Sequence, residues 1–324
     1  MTDALPFLDA AAIRAAVPIA DMLDAVESAY RDVASGRDRS PLRTRVPLDE
    51  GDLLLMPGVR SGGRGASVKL VTVMPGNPGR GLPTVQATVV WLDASTGAPL
   101  ALMDGETVTA MRTGAASGVA TRLLARTDAS TLAVLGAGGQ AAWQVRAVLA
   151  AGRPIGRVTV YARSREARES FARRMADETG IEIVAAPSAE AAVREADVVC
   201  CATTSSDPVF DAAWLRPGTH VNGIGAFRLE MVEMPPELFG RAHLVAVDAR
   251  EAALEEAGDV VAAIEAGLLS AEALVEVGSV DPGWADARPA DAITAFKSVG
   301  LAIQDVAAAE LIADRLLGSQ QADA

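Results

Sequence analysis

The 324-residue sequence predicts an α/β protein, a doubly wound parallel sheet joined to an α+β unit. Three observations carry this. From Ala129 onward, near-continuous apolar strands alternate with Ala-rich helices, the pattern of parallel strands buried on both faces. A glycine turn, "GAGGQA" from Gly136, separates the first of these strands from a helix. The first third lacks the alternation and shows strands punctuated by Pro and Gly. Half the residues are hydrophobic but only 4% are aromatic, so the core is built from Ala, Val, Leu and Ile.

In chain order, the first 35 residues read as helix, with Ile19, Leu23, Val26 and Tyr30 on one stripe and Gly36 as the stop. "RSPLRTRVPLDEGDLLLMPGVR" and "ASVKLVTVMPGN" read as strands. "PTVQATVVWLDASTGAPLALMDG" reads as two strands joined by a turn at Asp93–Gly97. A helix is expected from about Thr107 to Leu124, after an antiparallel sheet. Then come "TLAVLGAG", "RVTVYAR", "IEIVAA", "ADVVCCAT", "THVNGIG" and "HLVAVDA" as strands, most of them separated by helices. Beyond Asp281, "ITAFKSVGLAIQDVAAAELIADRLL" reads as one long amphipathic helix with Val299, Ile303, Val306 and Leu311 on its stripe, packing back on the first domain.

The net charge of −13 argues against nucleic acid or an anionic membrane as partner, since both call for a basic face. A small anionic ligand stays possible wherever a few arginines gather. Asp3, Asp9 and Arg14 interrupt the N-terminus, and no run reaches the roughly 18 apolar residues of a spanning helix. Cys200 and Cys201 are neighbours whose side chains point to opposite faces of a strand, so the expectation is a cytoplasmic chain with two buried thiols and no disulfide. No Cys/His spacing suits a metal.

The glycine turn has the context of a Rossmann-type nucleotide site: strand before, helix after, second strand about twenty residues on. Gly136 allows the turn, Gly138 lets backbone approach a pyrophosphate, and Ala141 lets helix and strand pack closely. Ala137, Gly139 and Gln140 complete the phosphate-facing stretch, where the helix N-terminus offers amides. The second strand discriminates between cofactors. Ala162 stands where an NAD site places an acid, and Arg163, Ser164 and Arg165 follow, so a 2′-phosphate and NADP(H) are favoured, with NAD(H) possible. The bland alternative is that Ser164 caps the next helix. Thr203 and Thr204, and later Ile224, Gly225 and Phe227, fall at strand carboxyl ends where ligands bind; loop hydrogen bonding explains the threonines equally well. His220 and His243 fall at strand starts and read as structural.

The remaining chemistry is basic: Arg43, Arg45, Lys69 and Arg112. Lys69 lies inside the apolar strand "SVKLVTV", and Arg112 in a helix of small residues, "TAMRTGAASG". Such a cluster suggests a substrate carboxylate on arginine with Lys69 as acid or base.

"PLRTRVPL", "VKLVTVMPGN", "LPTVQATVVWLD", "LMDGETVTAMRTGAAS", "VLGAGGQA", "VNGIGAF", "VDAREAALEEAGDV" and "FKSVGLAIQD" together resemble the ornithine cyclodeaminase/mu-crystallin family, in order from about Arg43 to Asp305. The resemblance implies a homodimer, a substrate-binding and dimerisation domain at 1–122 rejoined by 298–324, and an NAD(P)-binding domain at 123–297 with a nicotinamide at the cleft. Carried over, Lys69 is the catalytic lysine, and Arg112 and Arg43 hold the substrate carboxylate. Gln86, Thr113 and Ser298 line nicotinamide or substrate, Arg163 and Ser164 meet the 2′-phosphate, and Glu256 stands near the substrate or is structural. One departure matters. Cyclodeaminases and the related archaeal alanine dehydrogenase carry Asp two residues after the glycine that is Gly225 here, and this chain has Phe227. A phenyl ring cannot act on an amine or a water, and "GAFRLEMVEMPPEL" resembles the ketimine-reducing branch. The expected function is NADPH-dependent reduction of a cyclic ketimine carboxylate. The rivals are an NAD-dependent ornithine cyclodeaminase, an alanine- or opine-type dehydrogenase, and a non-catalytic NADPH-dependent ligand binder of crystallin type.

Overall fold

The computed structural model describes residues 4–318. It divides into two compact units: one runs up to Arg112 and takes up the chain again from Leu301, and the other is Thr113–Gly300.

The first unit opens with β1 (Phe7–Leu8), α1 (Ala10–Ala16) and α2 (Ile19–Ala34). The N-terminal stretch is therefore not one helix. Pro18 has no amide proton and forces the residue before it out of the helical region, and Val17 is extended at φ −119°, ψ 102°. Leu23, Val26 and Tyr30 of the expected stripe are buried, with Met22 and Ala29. Six strands follow the helices: β2 (Asp38–Arg39), β3 (Thr44–Leu48), β4 (Gly51–Arg60), β5 (Gly65–Val73), β6 (Val85–Asp93) and β7 (Pro99–Asp104) make, with β1, a seven-stranded sheet. Its pairings are antiparallel except that β1 runs parallel to β7, a departure from the expected all-antiparallel sheet. The β6–β7 turn is where it was expected. Asp93 Oδ1 accepts from the amides of Ser95 and Thr96, and Gly97 takes φ +74°. α3 (Gly105–Leu124) follows, and the division between units falls within it.

In the second unit come β8 (Thr131–Leu135), α4 (Gly139–Leu149), β9 (Arg157–Tyr161), α5 (Arg165–Thr179), β10 (Glu182–Ala185), α6 (Ala189–Val193), β11 (Val198–Cys201), β12 (His220–Gly223), α7 (Pro236–Arg241) and β13 (Leu244–Val247). Next are α8 (Arg250–Glu256), α9 (Gly258–Glu265), β14 (Leu274–Glu276), α10 (Trp284–Ala287) and β15 (Thr294–Lys297). The eight strands are all parallel, in the order β10-β9-β8-β11-β12-β15-β13-β14. From β8 the chain winds outward one way to β10, then returns to β11 on the other side. The reversal opens a switch point between β8 and β11. This is the doubly wound Rossmann-type sheet the sequence predicts.

α11 (Ala302–Leu316) is the last element among the described residues and belongs to the first unit. The expected single helix from Ile293 is in fact β15, a short connection and then α11. "TAFK" is wholly buried between β12 and β13, and a short apolar run reads the same as buried strand or buried helix. Gly300, at φ +83°, makes the turn between them. In the first unit α11 packs against α2, β4 and β5. It seats closely because Gly58 has no side chain, where a Cβ would stand 2.9 Å from the Val306 side chain. The helix thereby covers the sheet face that carries Met56 and Lys69.

Candidate active site

In the first unit, β5 alternates strictly, so Ser67, Lys69, Val71 and Val73 point to the covered face. Lys69 is 1% exposed. Its ammonium meets Asp305 Oδ2 at 2.8 Å, and Asp305, in the first turns of α11, is wholly buried. The other Asp305 oxygen accepts from Arg112 Nε at 2.9 Å. Arg112 Nη1 donates to Gln304 Oε1 at 3.0 Å, and Gln304 Nε2 donates to the buried Tyr30 hydroxyl at 2.5 Å. Helix, sheet and α2 thus hold one lysine and one arginine on a shared carboxylate. Burial pushes the Lys69 ammonium down from 10.5 to about 7, Arg112 and Arg43 push the same way, and Asp305 opposes them. A lysine near neutrality both donates and takes a proton at ordinary pH.

Arg43, half-buried just before β3, is close enough for its charge to act on Lys69. The structure therefore gathers Lys69, Arg112 and Arg43. It does not gather Arg45, which pairs with Asp52 at 2.6 Å, nor Gln86. Gln86 is the register partner of Thr72, on the sheet face opposite Lys69, and it is exposed.

In the second unit, Gly136 follows β8 with φ +121°, and a Cβ there would stand 2.4 Å from the Ala202 carbonyl after β11. Only glycine fits this position, at the switch point. Around Gly138 and Gly139 a Cβ would meet nothing within 4 Å, so the backbone there is open to a ligand. Gly138 is the N-cap of α4 and no side chain caps it, leaving the first amides for an anion. Ala137 and Gln140 are half-buried, and Gln140 Oε1 is buried without a partner. These residues fit a dinucleotide pyrophosphate. Beyond β9, Arg163 and Ser164 are exposed, and Ser164 caps α5 by accepting from Ala167 N at 3.2 Å. That cap uses an oxygen lone pair and leaves the hydroxyl proton for a phosphate.

The other expected residues in this unit lie as follows. Thr203, Thr204 and Ile224 follow β11 and β12 at the carboxyl ends of the sheet. Phe227 is half-buried, with the Arg228 guanidinium 5.4 Å from its ring centre. Thr113 is buried in α3, and Glu256 ends α8, half-buried. Ser298, next after β15, is buried and donates to Asp248 Oδ2 at 2.9 Å. His220 opens β12, wholly buried between Thr294 and Asn222, and burial drives its pKa down to about 3, so it is a neutral structural group. Both cysteines are buried and free, and burial pushes the Cys200 thiol up to about 12. Among the described residues no helix is long and apolar enough to cross a membrane.

A parallel sheet of this order with an open glycine turn at its switch point, and a near-neutral lysine set among arginines, define an NAD(P)-dependent oxidoreductase. The chain belongs to the ornithine cyclodeaminase/mu-crystallin family, whose sequence profile matches residues 6–320. It is 37% identical over 301 residues to Δ1-pyrroline-2-carboxylate reductase of Bacillus cereus, covering 92% of each chain. The solved structure of Thermococcus litoralis Δ1-pyrroline-2-carboxylate reductase in complex with NADH and L-proline matches with a TM-score of 0.90 at 34% identity, covering 97% of this chain and 98% of that one. An archaeal alanine dehydrogenase dimer with bound NAD matches at 0.88 and 35%, covering 97% and 96%.

Reading the sequence missed Asp305, Gln304 and Tyr30 as neighbours of Lys69 and Arg112. The available signal was polar residues, Gln304 and Asp305, interrupting the apolar stripe between Ile303 and Val306. It also missed Arg168, which donates to the Ala162 carbonyl at 2.8 Å and so brings a second guanidinium beside the end of β9.

The depressed Lys69 value makes a stability prediction. Between about 7 and 10.5 the unfolded chain binds a proton that the folded chain does not, so raising pH through this window adds stability. Below it both states are protonated and the full cost of burying the charge is present. Lys69→Met should therefore be more stable than wild type at neutral pH, on the order of a few kcal/mol. Urea melts across the window should show the gap closing as pH rises; a constant gap would mean that the folded lysine never loses its proton.

Proposed function

We propose that this chain is an NADPH-dependent reductase of a cyclic ketimine carboxylate, Δ1-pyrroline-2-carboxylate or Δ1-piperideine-2-carboxylate, giving the cyclic amino acid. The observation that carries the reading is Lys69, buried, held on Asp305 beside Arg112, and tuned to about 7. Arg112 and Arg43 bind the substrate carboxylate. Arg112 spends Nε on Asp305 and Nη1 on Gln304, so its remaining Nη2 edge is presented in a fixed direction. Lys69 gives its proton to the imine nitrogen, directly or through water. A nicotinamide, when bound, would supply the hydride for the imine carbon. One hydride and one proton convert C=N to CH–NH, and no ammonia leaves. The Bacillus and Thermococcus relatives carry this reductase name, which supports the substrate class. The absence of an acid after β9, with Arg163, Ser164 and Arg168 there, supports NADPH over NADH. The chain works on small imino or amino acid carboxylates in the cytoplasm.

A homodimer belongs to the same reading. The sheet face opposite Lys69 carries Val46, Leu48, Leu53, Leu55, Leu70 and Val90 in register, and every residue of β3 is exposed. An apolar face of this extent calls for a cover, and a related protein is solved as a dimer.

The purified protein should oxidise NADPH on addition of Δ1-pyrroline-2-carboxylate and release no ammonia from L-ornithine with NAD. kcat/KM for reduction should fall as pH rises through about 7, where Lys69 loses its proton. Lys69→Ala should lower kcat by roughly 10²-fold or more, while Arg112→Ala should raise KM steeply. Steady ammonia release without net cofactor turnover would make the protein a cyclodeaminase instead.

Arg163→Ala should weaken NADPH by roughly 10- to 100-fold, the loss of one charge-assisted contact worth about 1.5–3 kcal/mol, and leave NADH nearly unchanged. Equal losses for both would reduce Arg163 to a surface charge.

In sedimentation at micromolar concentration the wild type should run as a dimer, and Leu70→Asp should shift it to monomer. A fully active wild-type monomer would remove the dimer from the reading.

A further inference from the structure

Glu233 lies in the loop between β12 and α7 and is wholly buried. Its carboxylate ties two strand ends together. Oε1 accepts from Thr203 N at 2.5 Å, and Oε2 accepts from Gly225 N at 2.6 Å and Ala226 N at 3.0 Å. The approach needs Gly225, where a Cβ would stand 2.7 Å from Oε1 and 2.0 Å from the Thr203 carbonyl. Glu233 is itself held. Asp259 Oδ1 accepts from the amides of Glu233 and Met234, at 2.5 and 3.0 Å, and Asp259 Oδ2 meets Lys297 Nζ at 2.5 Å, both residues wholly buried. Lys297 is the last residue of β15. Gly258 lets the same loop lie against the start of α9, since a Cβ there would stand 2.3 Å from the Met231 carbonyl. A chain of three buried charges thus joins the carboxyl ends of β11, β12 and β15.

Burying a carboxylate is expensive unless its lone pairs are used. Here three amides use them, and those amides belong to the loops that carry Thr203, Thr204, Ile224 and Phe227. We propose that Glu233 is a positioning residue for the nicotinamide half of the cofactor: it fixes the backbone of Thr203 and of Gly225–Ala226 in one geometry before the dinucleotide binds, with Asp259 and Lys297 holding it in place. β11 and β12 lie on the far side of the switch point from β9 and β10, and in a doubly wound sheet the two sides serve the two halves of a dinucleotide. The adenosine half, near the end of β9, lies outside its reach. The inference rests on the reading of these loops as cofactor contacts.

Glu233→Gln keeps the volume but leaves one oxygen to serve amides that now have two, so one loop loses its acceptor. Fluorescence titration should show NADPH bound roughly tenfold or more weakly, with adenosine 2′,5′-bisphosphate, a probe for the adenosine half, bound as in wild type. KM for NADPH should rise more than kcat falls. Equal losses for both ligands, or no loss for either, would overturn the proposal while leaving the cofactor reading intact. A wild type that binds neither ligand would overturn both. A second measurement needs no variant: in ligand-free wild type the amides of Thr203, Gly225 and Ala226 should be protected from hydrogen exchange, and fast exchange that slows only with NADPH would show that Glu233 does not set the loops in advance.

Discussion

The first unit depends on one shared carboxylate. Asp305 lets a lysine and an arginine sit together under a helix, two like charges that would otherwise repel in a space with little water. Because the carboxylate lies on α11, the chain's return after the parallel-sheet unit is what brings Asp305 and Gln304 to Lys69 and Arg112. Gly58 and the small residues of α11 permit the close approach, and Tyr30 anchors Gln304 from α2.

The same physical device recurs in the second unit in a different role. Glu233 gathers amides from the ends of β11 and β12, and Asp248 gathers Ser298, Val299 and Gly300 after β15. Asp197 does the equivalent at the opposite edge, accepting from the amides of Ser130 and Thr131 at the start of β8. Strand ends leave backbone donors without ladder partners, and a buried acid that collects several of them is satisfied as well. Such acids hold the connections at the strand ends in place.

The family is shared by proteins named as ketimine reductases, an alanine dehydrogenase and cyclodeaminases. In this chain a lysine and an arginine share one buried carboxylate. Phe227, half-buried against Arg228, offers a phenyl ring and no acid or base.

Much was legible from sequence because it is local. Strands β8 to β13 announce themselves as apolar runs, the turn at Gly136 by its glycines, and Lys69 by being a charge in an apolar strand. The breaks at Pro18 and Gly300 are local too, and a stricter reading of proline and glycine would have placed them. What only the tertiary structure decided depends on residues far apart in the chain. "TAFK" became a strand because a slot existed between β12 and β13. Asp305 became the partner of Lys69 and Arg112 across some two hundred residues, and Glu233 the tie between two loops. Sequence determines which side chains must be buried or turned. Which buried charge meets which is set by packing, because a carboxylate's partners are whatever donors the fold brings within three ångströms or so of it.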